Sequence, residues 1–297
     1  MELFYSLEVV WHLGLQKDKE LEEIRIRVEK PIVISYRTKT QVTEIFPTQR
    51  EVMEFFGYLC QDSVYAYEEE RKKGYMTMKG GHRVGFTGEV VTVGEGEFFA
   101  KYICYLNIRI AHEWKNISKQ VLPYLIEDEI PKNTLIVSPP GLGKTTLLRD
   151  LVRVYGNRFN VGVVDERGEI AGAFQGAETL DCGKFSDVIT GSDKRKGIQI
   201  LVRTFSPKLI ALDEIGNAED AKAIYYASVC GCRILATAHG QKWSDLVCNE
   251  EIGQLVEAKS FERFLFLRRN QEGKVVADIW NQDGEEKCSG VLLQDVS

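Results

Sequence analysis

The chain has 297 residues, 44% of them hydrophobic and 28% charged, with a formal net charge of −6. That length accommodates two domains and a sizeable core, and the acidic balance gives no global attraction for nucleic acid. No run of 18 apolar residues occurs, so no membrane-spanning helix is expected. The seven cysteines are scattered and form no CxxC pair, which predicts reduced thiols and no zinc site, and the four histidines are dispersed. The first residues, MELFYSLEVVWHLGL, have no basic stretch before the apolar ones, so no secretory leader is expected.

In chain order, residues 1–20 are read as a helix. From 23 to 37, Ile24, Ile26 and Val28 alternate with Glu23, Arg25, Arg27 and Glu29. This is the pattern of a half-buried strand, and Pro31 divides it from a second one. Residues 47–60 place Val52, Phe55, Phe56 and Leu59 at helical spacing, and 63–74 carry a Ser cap, early acids, late bases and a closing Gly. A β-rich stretch with Gly80-Gly81, Gly88 and Gly94-Glu95-Gly96 fills 75–114. Residues 1–114 thus read as an α+β domain, and 115–132 as a connecting helix and linker.

From 133 the pattern becomes strand, helix, strand: strands at 133–138, 161–165, 209–213 and 232–237, helices at 144–155, 194–205 and 218–230. Alternation of this kind predicts a parallel sheet with helices on both faces. A closing pair of strands is read at 262–269 and 274–280 around Asn270–Gly273.

The chemistry concentrates at 133–150, NTLIVSPPGLGKTTLLRD. An apolar strand, a turn of Ser138, Pro139, Pro140, Gly141, Leu142 and Gly143, and a helix opening at Lys144, Thr145 and Thr146 together make a phosphate-binding loop. Its backbone N–H groups and the helix dipole face the anion. Lys144 would reach the β- and γ-phosphates of ATP, and Thr145 would hold Mg²⁺. The first glycine of the pattern G-x-x-x-x-G-K-[ST] is replaced by Ser138, where a positive φ would be costly.

The strand 209–216, LIALDEIG, ends in two acids. A buried Asp213 needs a compensating cation, and the Mg²⁺ of a bound nucleotide supplies one. Glu214 is then placed to orient or deprotonate the attacking water. RILATAHG (233–240) brings His239 to the same edge as a sensor of the γ-phosphate, and VGVVDERGEIAG (161–172) brings Asp165, Glu166 and Glu169, with Asp165 and Glu166 read as supports of the metal shell or the water. Arg203, Arg83 and Arg109 are the candidates to stabilise charge on the transferring phosphoryl group.

Six blocks in order extend these motifs over nearly the whole chain: SVYAYEEE…KGYMTMKGGHRVGFTGEV (63–90), LNIRIAHE (106–113), IVSPPGLGKTTLLRDLVR (136–153), VGVVDERGEIAG (161–172), RTFSPKLIALDEIG (203–216) and ATAHG (236–240). With them the chain resembles the stage III sporulation protein AA family of spore-forming bacteria. The resemblance implies a RecA-like P-loop ATPase core over 133–297, similar to the hexameric motors of type II and type IV secretion. Ser138 is compatible with that family's loop. The resemblance also implies Walker A and B motifs, an acidic box at Asp165–Glu169, a histidine box at Thr237–Gly240, and N-terminal arginines (Arg83 and Arg109) acting on the nucleotide. The implied partners are other copies of the chain and membrane proteins of a sporulation apparatus. The implied place is cytoplasmic, on the mother-cell side, peripheral to the membrane. The secretion motors' four-cysteine zinc module is absent from this sequence. The rival reading is a nucleic-acid-dependent ATPase of helicase or loader type, for which KRK at 194–196 is the one local basic patch; a further rival is a nucleotide-switched scaffold.

Overall fold

The computed structural model describes residues 20–60, 74–78, 80–93, 97–173 and 176–293. They fall into two compact units, within Met1–His112 and within Glu113–Ser297. The helices expected at 1–20 and 63–74 lie almost wholly outside the described residues.

In the first unit β1 (Leu21–Arg27), β2 (Val33–Tyr36), β3 (Thr40–Val42), helix α1 (Gln49–Leu59), β4 (Tyr75–Thr77), β5 (Arg83–Val93) and β6 (Glu97–Arg109) follow one another. The described strands form an antiparallel sheet in the order β3-β2-β1-β6-β5-β4. The alternation legible in 23–28 decides the faces: Ile24 and Ile26 are buried, whereas Arg25 lies outward. Thr48 starts α1 through a capping box, its hydroxyl accepting the Glu51 amide while the Glu51 carboxylate accepts the Thr48 amide. Val52, Phe55, Phe56 and Leu59 form the buried stripe of α1, each contributing about 1.5–3 kcal/mol by leaving water. Phe56 meets Phe86 of β5 edge-on, with centroids 4.9 Å apart.

The second unit opens with a 3₁₀ turn (Ile117–Gln120) and the short helix α2 (Leu122–Leu125), followed by the ladder β7 (Ile126–Glu127) and β8 (Ile130–Pro131). The stretch read as one connecting helix is broken, because Asn116 takes a positive φ and Pro123 lacks an N–H to continue the turn. It is also built into this unit's core, through Ile117, Val121 and Leu125.

Then come β9 (Thr134–Ser138), α3 (Lys144–Gly156), β10 (Val161–Asp165), β11 (Ser186–Thr190), α4 (Lys194–Thr204), β12 (Leu209–Glu214), α5 (Ala218–Val229), β13 (Arg233–His239), α6 (Trp243–Val247), α7 (Glu250–Glu257), β14 (Arg263–Arg269), β15 (Val275–Asn281) and β16 (Glu286–Leu292). The sheet runs β11-β10-β12-β13-β9-β14-β15-β16, parallel from β11 to β14 and antiparallel thereafter. Alternate residues of the central strands feed two cores. Ile136 packs with Leu147, Leu148 and Leu151 of α3, while Leu135 and Val137 pack with Ile198 and Leu201 of α4 and Ile224 of α5. Helices on both faces leave the carboxyl ends of the parallel strands along one edge, where ligands of open α/β sheets bind. From β9 onward four elements went unread in the sequence: β11, α6, α7 and β16. The strands β11 and β16 close the two edges and bury none of their residues fully, so they lack the apolar run that marks a central strand.

Candidate functional site

The loop at 138–145 is shaped by two glycines. Gly141 and Gly143 have φ of 79° and 83°, and Gly143 is the left-handed N-cap from which α3 starts. Ser138, by contrast, keeps a negative φ as the last residue of β9, and its hydroxyl donates to the Pro139 carbonyl at 2.8 Å. The strain feared at that position falls on Gly141 and Gly143 instead. The Gly143 carbonyl accepts the Leu147 amide at 2.9 Å, closing the first turn, and Thr145 and Thr146 lie half-buried in it.

Strand order brings the other groups to this loop. Strand β13 lies between β9 and β12, with His239 paired to Ser138 and Thr237 to Glu214 in register. Lys144, only 9% exposed, places Nζ 3.3 Å from Glu214 Oε2 and 3.5 Å from His239 Nδ1. His239 Nε2 is 2.8 Å from Glu214 Oε1. The three side chains close a triangle between residues 70 and 95 positions apart in sequence. Beside it, Asp213 is buried and its carboxylate accepts no hydrogen bond from the described residues. The Thr237 hydroxyl is buried without a partner, an arrangement that folded chains seldom leave unmet.

The acids of the loop after β10 make contacts of their own within the protein. Asp165, fully buried, accepts the amides of Glu169 (2.8 Å), Ile170 (3.0 Å) and Ala171 (2.8 Å), and so folds the loop back on itself. Burial pushes its carboxyl above the usual aspartate range, against the pull of those amides. Three of the roughly four lone-pair sites on its carboxylate are thus taken up by the loop. Glu166 points to Lys194 at the start of α4, 2.9 Å away, and Lys194 also meets Asp220 of α5 at 3.3 Å. Sequence reasoning passes over Arg149, on the buried helix α3. Its guanidinium donates to the Glu169 carbonyl and faces Glu169, Asp165 and Asp213, while desolvation holds its pKa below the usual arginine range. A charged side chain one turn beyond Lys144 on a buried helix was the available signal.

The arginines divide. Arg203 is exposed in the last turn of α4, which leads into the amino end of β12, the sheet edge opposite the glycine loop, so it does not reach that loop in its own chain. Arg83 and Arg109 face each other across β5 and β6 of the first unit. The Arg83 guanidinium stacks 3.8 Å from the Tyr75 ring centroid, and Arg109 lies 4.0 Å from Glu23. The basic run at 194–196 is neutralised: Lys194 by Glu166 and Asp220, Arg195 by Glu219, Lys196 by Asp193.

This fold recurs in solved structures. The ATPase DotB of Legionella pneumophila superposes with a TM-score of 0.57 at 16% identity, covering 93% of this chain and 79% of that one. The pilus retraction motor PilT, solved with bound ADP, gives 0.59 at 14% identity, covering 93% of this chain and 81% of that one. The chain therefore has the α/β fold of these ATPases, with a smaller sheet domain before it. In sequence it is 37% identical to stage III sporulation protein AA of Bacillus subtilis (strain 168) over 271 residues, 89% of this chain and 88% of that protein. The model of the family "Sporulation stage III, protein AA" matches residues 6–287. The chain belongs to that family.

Proposed function

We propose that the chain is an ATP-hydrolysing motor of a secretion-like transport or assembly complex used in endospore formation. The observation that carries this reading is the Lys144–Glu214–His239 triangle at the mouth of a glycine loop. It sets a phosphate-binding cation against a water-activating carboxylate. The loop amides and Lys144 bind the β- and γ-phosphates, and Glu214 orients the attacking water and draws its proton. His239, bonded to Glu214, fixes that carboxylate and reads the γ-phosphate. Thr145 and Asp213 fit Mg²⁺, since both offer hard oxygen donors and the Asp213 carboxylate accepts no hydrogen bond from the described residues. The ion neutralises charge on the phosphates when bound. Magnesium keeps waters and phosphate oxygens in its shell, so two protein oxygens suffice.

Arg83 and Arg109 are proposed to complete an ATP site in the assembly, and the assembly to be a homo-hexamer. Its proposed place is the mother-cell cytoplasm, docked on membrane proteins of the sporulation apparatus. Among the described residues no helix is long and apolar enough to cross a membrane. The test is ATP hydrolysis by the purified chain, together with native mass with and without ATP–Mg²⁺. Turnover indifferent to single-stranded or duplex DNA and a six-fold mass with nucleotide are expected. Hydrolysis that requires DNA, or a monomer throughout, overturns the motor reading.

A further inference from the structure

The sheet of the first unit has one apolar face, and its other face is unusually basic. Alternation along β1, β5 and β6 buries Ile24, Ile26, Val84, Phe86, Leu106 and Ile108 on one side. On the opposite side the register sets Arg83, Arg109 and Glu23 in one row, with Arg25 and Arg27 on β1 in the next two. Four arginines therefore share this part of the face with a single carboxylate, in a chain that is acidic overall.

At the centre of the grid stands Gly85, opposite Asn107, which is itself opposite Arg25. A Cβ at Gly85 would meet nothing closer than 3.8 Å, so the missing side chain leaves a real depression. The cavity over it measures about 340 Å³, walled by Arg25, Arg27, Thr87, Tyr105 and Asn107. Arg27 Nε and Asn107 Oδ1 are buried at its edge with no hydrogen-bond partner. The rest of the Arg27 guanidinium has only a long 3.5 Å contact to the Pro31 carbonyl, and Asn107 Nδ2 donates to Glu23 at 3.2 Å. Buried polar groups of this kind are normally met by a water or a ligand: the Arg27 Nε–H is a donor an oxyanion can satisfy, whereas Asn107 Oδ1 accepts and suits a hydroxyl or water.

We infer that this depression is an oxyanion site of the first unit itself, and that it takes a small phosphorylated ligand. Guanidinium forks match phosphate oxygens in pairs, and several arginines spread over one face suit a multiply charged anion better than a lone carboxylate. Tyr105, 44% exposed beside the arginines, offers a flat surface to the rest of such a ligand.

The test uses the full chain carrying Lys144→Ala, which disables the glycine loop, titrated calorimetrically with inorganic triphosphate and, separately, with citrate. Saturable triphosphate binding is expected, weakened about tenfold by Arg27→Gln, the scale of one charged hydrogen bond. Gly85→Val should abolish it, because the new side chain fills the depression and leaves every charge in place. Should Gly85→Val lower the melting temperature, Arg27→Gln and Arg25→Gln with unchanged melting carry the test. Absence of triphosphate binding, or binding that these substitutions leave unchanged, overturns the site. Citrate bound as tightly as triphosphate overturns the phosphate assignment. ATP turnover by the wild-type chain is not among the readouts, so failure here and failure of the motor reading are told apart.

Discussion

Glu214→Gln should slow ATP turnover and at the same time tighten ATP binding. The carboxylate holds Lys144 Nζ at 3.3 Å, so the γ-phosphate and Glu214 compete for the same ammonium. At that distance the attraction is about 5 kcal/mol for an effective dielectric near 20. Lys144 is 10% exposed and Glu214 33%, so desolvation and residual water offset most of it and leave about 1–2 kcal/mol net. An amide at 214 frees Lys144 from that competition, and the ATP dissociation constant should fall about 5- to 30-fold. Turnover should fall at least about 10²-fold, the scale of a lost general base. Both quantities are read on one preparation, affinity by calorimetry with ATP–Mg²⁺ and turnover by phosphate release. Unchanged turnover would deny Glu214 its role, and weaker binding would show that Glu214 does not compete with phosphate for Lys144.

Lys144→Ala should lose ATP binding with the fold intact, checked by calorimetry beside circular dichroism, because Lys144 contacts Glu214 and His239 at the loop and takes no part in the apolar core. Arg83→Ala or Arg109→Ala should cut turnover by up to about 10³-fold with little change in ATP affinity, since a finger arginine acts mainly in the transition state. Mixing Arg83→Ala with Glu214→Gln protein should recover activity if the arginine serves a neighbouring copy, and normal turnover by both single arginine variants would refute the role. Asp150 of α3 accepts the amides of Asn116 and Ser118 and an Arg153 guanidinium bond, so Asp150→Ala should cost about 3 kcal/mol in denaturant unfolding. Burial raises the Asp150 carboxyl, but the bonds from Ser118, Arg153 and Asn116 outweigh it and hold the acid below its ordinary range. Its contribution is therefore present above the ordinary aspartate pKa and lost as pH falls through the depressed value, and Asp150→Asn should flatten that acid limb of the stability curve.

Much of this protein is local and was therefore legible in the chain. Leu135-Ile136-Val137 before the glycines, Lys144 after them, the helical spacing of Val52, Phe55, Phe56 and Leu59, and the Ile24–Arg25–Ile26 alternation each depend on neighbours a few residues away. Strand, loop and helix follow from them directly. The edges were harder, because β11 and β16 gain their place from the ladder they close and not from burial of their own side chains. The loop after β10 shows the limit most clearly. Asp165 and Glu166 read alike as acids at a strand end, yet one turns inward to three backbone amides and the other outward to Lys194, 28 residues away. No local pattern distinguishes them, because the choice rests on which donors the fold brings within reach. The same holds for Lys144, Glu214 and His239, and for the arginines around Gly85. Sequence determined which chemistry each strand end carries, whereas strand order and register, set by the packing of distant segments, decided which of those groups meet.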